Sequence, residues 1–159
     1  MKKEKMNDKG FSLVELIIVI AIMAVLVVVL APQYLKYVER SRNSTDVSNA
    51  TSIVTACQVW AADPNAGEDG TTAFKSGDSF KIKVDDSTGA VSIGSTSADG
   101  SDAVDSALTE AAIDITKTKC KSKNAWTYYE INGVVESSGA ITITYTSDQS
   151  NAFATAMTK

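Results

Sequence analysis

The residue with the clearest chemical implication is Glu15, which stands alone among apolar side chains near the start of the chain. Between Phe11 and Ala31 all residues are apolar except Glu15 itself and Ser12. A carboxylate in such surroundings is costly unless a cation or a hydrogen-bond donor accompanies it. A cut between Gly10 and Phe11 would create an α-amino group one helical turn from Glu15, on the same helix face. The sequence therefore predicts that cleavage supplies the missing cation.

The same cut would change the charge that the chain carries. Residues 1–10 hold four lysines and two acidic residues, so their loss would shift the formal net charge from −4 to −6. A basic flank on the cytoplasmic side of an apolar segment resists transfer across a membrane. Removal of this leader would therefore make the rest of the chain easier to extract from a membrane.

The apolar segment predicts a helix that crosses a membrane once. As an α-helix, residues 11–31 would rise about 32 Å at ~1.5 Å per residue, close to the thickness of a bilayer's hydrocarbon core. A secretory signal peptide is the alternative, but the run is long and reaches Pro32 without an A-x-A-like cleavage site. We predict a straight or mildly kinked helix in lipid, and local unwinding of residues 24–32 once neighbouring helices replace lipid.

Composition argues against an enzyme. Histidine is absent, which removes the commonest general base and the commonest metal ligand. The sequence contains no phosphate-binding loop, nucleophile elbow or metal-binding cysteine cluster. The excess of 19 acidic over 15 basic residues argues against nucleic acid as the main partner. We therefore predict a protein without catalysis, cofactor or metal.

Cys57 and Cys120 are the two cysteines, and both lie beyond the apolar segment. In an oxidising exterior they could form a disulfide that contributes about 4 kcal/mol in the chain-entropy model. The alternative is two buried thiols that fill small gaps. Both alternatives stay open, because a disulfide depends on geometry that spacing does not reveal.

The N-terminal junction resembles that of a known family. Its residues, Lys9-Gly10-Phe11-Ser12-Leu13-Val14-Glu15-Leu16-Ile17, are similar to the class III leader junction of type IV pilins and of the pseudopilins of type II secretion and competence systems. The resemblance extends to Pro32, which matches a proline that follows the apolar segment in many of these pilins. Beyond Pro32 only the architecture is similar.

This resemblance implies processing and assembly. A prepilin peptidase would cut after Gly10 and methylate the new terminus at Phe11, and Glu15 would govern methylation or subunit docking. The implied partners are membrane lipid before assembly, an inner-membrane assembly platform, and further copies of the chain in a helical filament on the bacterial surface. Such a filament would serve adhesion, motility or aggregation.

Two alternatives to a pilus subunit follow from the same residues. A pseudopilin of a secretion or DNA-uptake machine shares the leader but forms only a short fibre. A protein of a different class would keep residues 1–10 and use the apolar helix as an uncleaved signal anchor for an extracellular binding domain.

The predicted fold is α+β. Residues 11–32 would form the membrane or filament-core part of a long N-terminal helix, and residues 33–63 its amphipathic continuation. Residues 64–159 would form a globular domain whose antiparallel sheet packs on the distal half of the helix. The continuation has an apolar face formed by Val47, Ala50, Val54, Cys57 and Ala61, with Ile53 and Trp60 beside it, and Asn43, Asp46, Ser48 and Gln58 are predicted on other faces.

The globular domain is predicted to be an antiparallel meander. Alternation of apolar and polar residues predicts strands over 79–84, 90–93 and 140–146. Asn132-Gly133 predicts a hairpin between strands over 126–131 and 134–137. The remaining segments are predicted as a polar loop over 94–102, a short helix over 104–115 and a loosely specified tail over 147–159.

A row of lysines offers one more interaction site. Lys117, Lys119, Lys121 and Lys123 alternate strictly, and on a strand they would point to one side. Such a row is either a solvated edge strand that uses lysine to avoid pairing, or a contact with the acidic loop over 99–105 of a neighbouring subunit.

Overall fold

A computed structural model describes residues 12–68, 70–86, 91–95 and 98–158. The chain divides into two compact units, one ending at Val38 and the other beginning at Glu39. The leader and the predicted cleavage residues Gly10 and Phe11 lie outside the described residues.

The first element is the long helix α1 (Leu13–Ala62), as the sequence predicts, and Pro32 lies inside it. In the second unit α1 presents an apolar stripe of Ala50, Ile53, Cys57 and Trp60 at spacings of three and four residues. The helix stops just before Asp63-Pro64, because the residue that precedes a proline is disfavoured in the helical region.

Within its described residues, the second unit contains a four-stranded sheet and two further helices. The strands are β1 (Ser79–Asp85), β2 (Val91–Ser95), β3 (Tyr128–Val135) and β4 (Ile141–Ser147), and their order in the sheet is β2-β1-β3-β4. All neighbouring strands are antiparallel. Between β2 and β3 the chain forms α2 (Ala98–Glu110) and a short 3₁₀ turn (Ile115–Lys117), and α3 (Asp148–Met157) follows β4. This is an α+β fold, as predicted.

The core lies on one face of the sheet. Alternate residues of β1 and β3 are buried there, among them Ile82, Val84, Tyr129 and Ile131. The apolar stripe of α1 belongs to the same cluster, together with Val104, Ala107 and Leu108 of α2. The sheet therefore has one apolar and one polar face, as its period-two pattern requires.

The hairpin predicted at Asn132-Gly133 is wrong, because β3 runs straight through both residues. Gly133 is paired with Phe80 of β1, and a Cβ atom on Gly133 would overlap the Phe80 ring. The glycine is therefore required by packing across the sheet rather than by a turn. The β3–β4 turn lies at Ser138-Gly139, as predicted, where Gly139 has a φ of +85°. The connection from β2 to β3 crosses over β1, so the sheet is not a simple meander.

The predicted loop over 94–102 and helix over 104–115 are displaced. Gly94 and Ser95 belong to β2, and α2 begins at Ala98 and ends at Glu110. Ala112 has a φ of +54°, and the Ile113 N–H donates to the Leu108 carbonyl at 2.9 Å, which closes the helix end. The acidic residues Asp102 and Asp105 therefore lie on a helix rather than on a loop.

The tail predicted as loosely specified is also wrong. Residues 149–151, inside α3, adopt positive φ and turn the chain, and the rest of α3 places Phe153 in the core with no exposed surface. Ala152, Phe153, Ala156 and Met157 recur at helical spacing and pack on the core, so a short periodic signal was present in the sequence and was missed.

Candidate processing and assembly site

Glu15 caps the start of α1. The Ser12 backbone N–H donates to Glu15 Oε2 at 2.9 Å, and the Leu16 N–H donates to the Ser12 carbonyl at 3.2 Å. A Ser followed three residues later by Glu is the sequence signature of a capping box, and a carboxylate there also interacts favourably with the helix dipole. The signature was present in the sequence but was missed. Glu15 thus has a hydrogen-bond partner without any cut.

The apolar part of α1 is uncovered. Its large side chains from Leu13 to Leu30 are exposed, from 41% at Val19 to 75% at Val28. Within the described residues, α1 is the one helix long and apolar enough to cross a membrane. A contiguous apolar surface of this size marks a site for lipid or for protein partners. Pro32 lies at its end, and the helix continues through this residue.

Asp46, in the second half of α1, is completely buried. Its carboxylate accepts hydrogen bonds from the backbone N–H of Lys121 at 2.8 Å and of Ser122 at 2.9 Å, and from the Trp126 indole N–H at 2.9 Å. The Cys120 thiol donates to the same carboxylate at 3.5 Å. Four donors around one carboxylate offset its desolvation and attach the segment 120–126 to α1.

The prediction that Asp46 lies on a polar face of the helix is wrong. Asp46 precedes Ala50, Ile53, Cys57 and Trp60 at the spacings of the buried stripe, so its position belongs to the core face. The register of the stripe was the signal that could have identified it.

Glu39 attaches the next part of the same segment. Its Oε1 accepts from the Ser122 hydroxyl at 2.9 Å and from the backbone N–H groups of Lys123 at 2.7 Å and Asn124 at 2.8 Å. Its Oε2 lies 3.6 Å from the Arg42 guanidinium, and the side chain is only 13% exposed. Asp46 and Glu39 lie seven residues apart, or about two helical turns, so both point toward the same segment.

Comparison with known proteins identifies the N-terminal segment. Residues 5–31 match the prokaryotic N-terminal methylation motif. Over 65 residues the chain is 38% identical to a type IV major fimbrial protein FimA of Dichelobacter nodosus. This matched segment is 41% of this chain and 42% of that protein. Over 51 residues it is 39% identical to a fimbrial protein of Pseudomonas aeruginosa. This matched segment is 32% of this chain and 33% of that protein.

The chain carries a prokaryotic N-terminal methylation motif and is similar in its N-terminal part to type IV fimbrial proteins. The resemblance drawn from its junction residues is thereby confirmed. The matched segments span less than half the length of these fimbrial relatives. No solved structure matches the chain.

Acid should lower the stability of the second unit through Glu39. Burial raises the pKa of the Glu39 carboxyl, but the hydrogen bonds from Asn124, Lys123, Ser122 and Ala125 outweigh burial and lower it from 4.5 to about 2. Because the pKa of Glu39 is lower in the folded than in the unfolded chain, its carboxylate stabilises the folded state at pH values above the unfolded pKa. This stabilisation is lost as the pH falls from about 4.5 toward 2.

The prediction is that Glu39→Gln lowers the free energy of unfolding at pH 7 by on the order of 1–2 kcal/mol, because solvent screens part of the full effect. The deficit should shrink as pH falls from 5 to about 2, which urea titrations of the full chain in detergent, followed by tryptophan fluorescence, can measure. Arg42→Gln is the control, since it keeps the hydrogen bonds to Oε1. A deficit that does not change with pH would contradict this role for Glu39.

Both cysteines are free and buried in the structure. Burial raises the pKa of each thiol to about 12, and the Asp46 charge adds to this effect at Cys120. Thiols of such high pKa are almost entirely protonated at neutral pH and react slowly. The Cys120 thiol lies beside Asp46, at 3.5 Å from its carboxylate. Asp46 and Cys57 are separated by about 16 Å along the helix axis, at ~1.5 Å per residue, so the two thiols contact different parts of α1. These observations favour the buried-thiol alternative, and a disulfide between Cys57 and Cys120 stays a prediction.

The four lysines do not lie on a strand. Lys117 is in the 3₁₀ turn, and the other three lie in the extended segment that follows. All four are exposed while Cys120 and Ser122 between them are buried, so the predicted alternation is present without a strand. Lys117 pairs with Asp114 at 2.7 Å, and Lys123 pairs with Asp86. A contact with a neighbouring subunit stays a prediction for Lys119 and Lys121.

Proposed function

We propose that this chain is a structural subunit of a type IV pilus. In this proposal it is cut after Gly10, methylated at Phe11 and polymerised into a surface filament for adhesion, motility or aggregation. The observation that supports it most directly is the methylation motif at the start of a helix whose apolar surface is uncovered. The fimbrial relatives also support a structural rather than an enzymatic role.

The uncovered apolar surface implies two successive environments. Lipid would cover the first unit in the single-pass precursor, and helices of other copies would cover it in the filament. A prepilin peptidase and an inner-membrane assembly platform would act between these states. The opening of the helix over residues 24–32 would accompany assembly, since Pro32 and the nearby valines weaken helix there.

Glu15 would couple processing to assembly. In the precursor its carboxylate caps the helix through the Ser12 N–H. After a cut at Gly10, the α-amino group of Phe11 would lie one turn away on the same face and could form an ion pair with it. An acid compensated within its own chain, or by the terminus of a neighbour, can enter an apolar filament core at lower cost.

Replacement of Gly10 tests the proposal. We predict that Gly10→Val abolishes filaments and leaves the leader attached, because a β-branched side chain crowds the scissile bond. Asp8→Asn is the matched control in the same leader and should be processed normally. Intact mass and N-terminal sequencing of sheared surface material, with electron microscopy, give the readout.

Each alternative has its own outcome in this experiment. Long fibres that begin at methylated Phe11 support a pilus subunit, whereas short or no fibres with the same terminus would indicate a pseudopilin. Retention of Met1 in the parent chain would indicate a signal-anchored binding domain. Intact filaments built from leader-bearing subunits would contradict the proposed link between processing and assembly.

A further inference from the structure

β4 is an edge strand of the sheet, with β3 on one side only. Among the described residues, β4 makes no backbone hydrogen bond outside its pairing with β3 at residues 141–146. An edge strand presents a row of free N–H and C=O groups to any strand that approaches it. β4 therefore offers a surface for pairing with a second strand.

The sequence of β4 lacks the features that usually prevent such pairing. Natural edges are protected by charged residues, proline, bulges or short length. β4 has seven residues, ITITYTS, with no charged residue, proline or glycine, and its register with β3 is continuous. The chain has a net charge of −4, so an uncharged strip is where two copies approach with least repulsion.

The two faces of β4 would both gain from a partner. Thr142 and Thr144 are exposed on the polar face. Ile141, Ile143 and Tyr145 are only partly buried on the core face, at the margin of the core. A second strand would cover the remaining apolar surface of these three residues and would satisfy the free backbone groups.

We propose that β4 pairs with β4 of a second copy, antiparallel and about a two-fold axis at Thr144. The two paired copies would belong to neighbouring filaments, which they would join side by side. In this respect the inference rests on the proposed pilus function. A single contact of seven residues is weak, but repetition along two filaments would make it effective through multivalency.

The register follows from symmetry and length. A two-fold axis at Thr144, the middle residue of β4, pairs residues 142–146 of the two copies, while the Ser147 N–H keeps its hydrogen bond to Asn151 Oδ1. Thr144 then faces Thr144 of the second copy, and Thr142 faces Thr146. On the core face Ile143 meets Tyr145, which is a favourable pair of β-branched and aromatic residues.

Cysteine trapping tests this register. Thr144→Cys should give a disulfide-linked dimer, because residues opposite each other on neighbouring strands bring their Cβ atoms to about 4.5–5.5 Å. Thr142→Cys is the matched control on the same exposed face, since its two copies would be offset by four residues, or about 14 Å along the strand. The native thiols at Cys57 and Cys120 are buried, and the parent chain controls for them.

The measurement is non-reducing gel electrophoresis after mild oxidation, performed on sheared filaments and on the full chain in detergent. Dimers from Thr144→Cys at least tenfold above those from Thr142→Cys support the pairing. Equal dimers from both variants, or from neither, would overturn it. If the parent chain forms no filaments, the proposed function fails, and the detergent sample at high protein concentration still decides the pairing, because oxidation accumulates even a weakly populated dimer as a covalent product.

A charge on the axis gives the functional readout. Thr144→Lys would place two ammonium groups opposite each other, so filaments should form in normal number but no longer associate laterally in electron micrographs. Lateral association that persists in Thr144→Lys would also overturn the proposal. Unchanged tryptophan fluorescence would show that the variant remains folded.

Discussion

Asp46→Ala is expected to lower the free energy of unfolding of the second unit by about 3–5 kcal/mol. The substitution removes the acceptor for the Lys121 and Ser122 N–H groups and for the Trp126 indole. These donors are buried or partly buried and would be left without a partner, which is the costly way to break a buried polar network. Because most domains are stable by only about 5–15 kcal/mol, the loss is a large part of the total.

Urea denaturation of the full chain in detergent measures this effect. Trp126 is 2% exposed and directly bonded to Asp46, so its fluorescence should report both unfolding and a change in its surroundings before unfolding. Asp46→Asn keeps one acceptor oxygen and should lose roughly half as much.

The neighbouring Thr45 supplies a control on the same helix. Thr45 is exposed and bonds only within α1, so Thr45→Ala should change the free energy of unfolding by no more than about 0.5 kcal/mol. Equal midpoints for Asp46→Ala and Thr45→Ala would mean that the segment 120–126 is attached by packing rather than by the carboxylate.

The elements with a strong period could be predicted from the sequence. α1 has an apolar run followed by a stripe at spacings of three and four residues, and β1 and β4 alternate strictly. These patterns reflect local geometry, since side chains on a helix recur every 3.6 residues and on a strand every two. The junction residues 9–17 likewise identified the family, because their order is specific and local.

Features that depend on a distant partner could not be predicted. Asn132-Gly133 has the residues of a tight turn, yet Gly133 is in a strand because the Phe80 ring occupies the space of its side chain. The register of the buried stripe could have placed Asp46 on the core face, but its hydrogen-bond donors lie more than seventy residues away along the chain and could not be named from the sequence. In both cases tertiary contacts override the local preference.

The candidate site shows the same division. Glu15 was singled out as an acid that needs compensation, and in the structure its carboxylate accepts from the Ser12 N–H, through a capping box that the sequence displays. The lysine row was predicted on a strand because alternation of exposed and buried residues is the usual sign of a strand. Here the alternation arises in an extended segment, because Cys120 and Ser122 between the lysines are buried and hydrogen-bonded to Asp46 and Glu39 of α1.

Phe153→Ala is expected to destabilise the second unit by about 3–5 kcal/mol. The Phe153 ring is fully buried, stacks on Tyr129 at a centroid distance of 4.3 Å, and meets Trp126 edge-on at 5.1 Å. Removal of the ring loses its transfer free energy and leaves a cavity, and each aromatic pair adds about 0.5–1.5 kcal/mol.

The loss should be accompanied by release of the C-terminal segment. Gln149, Ser150 and Asn151 all have φ between 55° and 59°, a strained conformation for residues with a side chain, which the insertion of Phe153 helps to hold. Without the ring, the backbone amides after Ser147 should exchange with solvent faster than those of β3, which hydrogen exchange with mass spectrometry resolves.

Thr155→Ala, exposed on the same helix, is the control and should leave exchange unchanged. Phe153→Leu should retain more than half of the stability because it fills most of the cavity. If Phe153→Ala unfolds at the same urea concentration as the parent chain, then the core is closed by α1, α2 and the sheet alone, and α3 only lies on its surface.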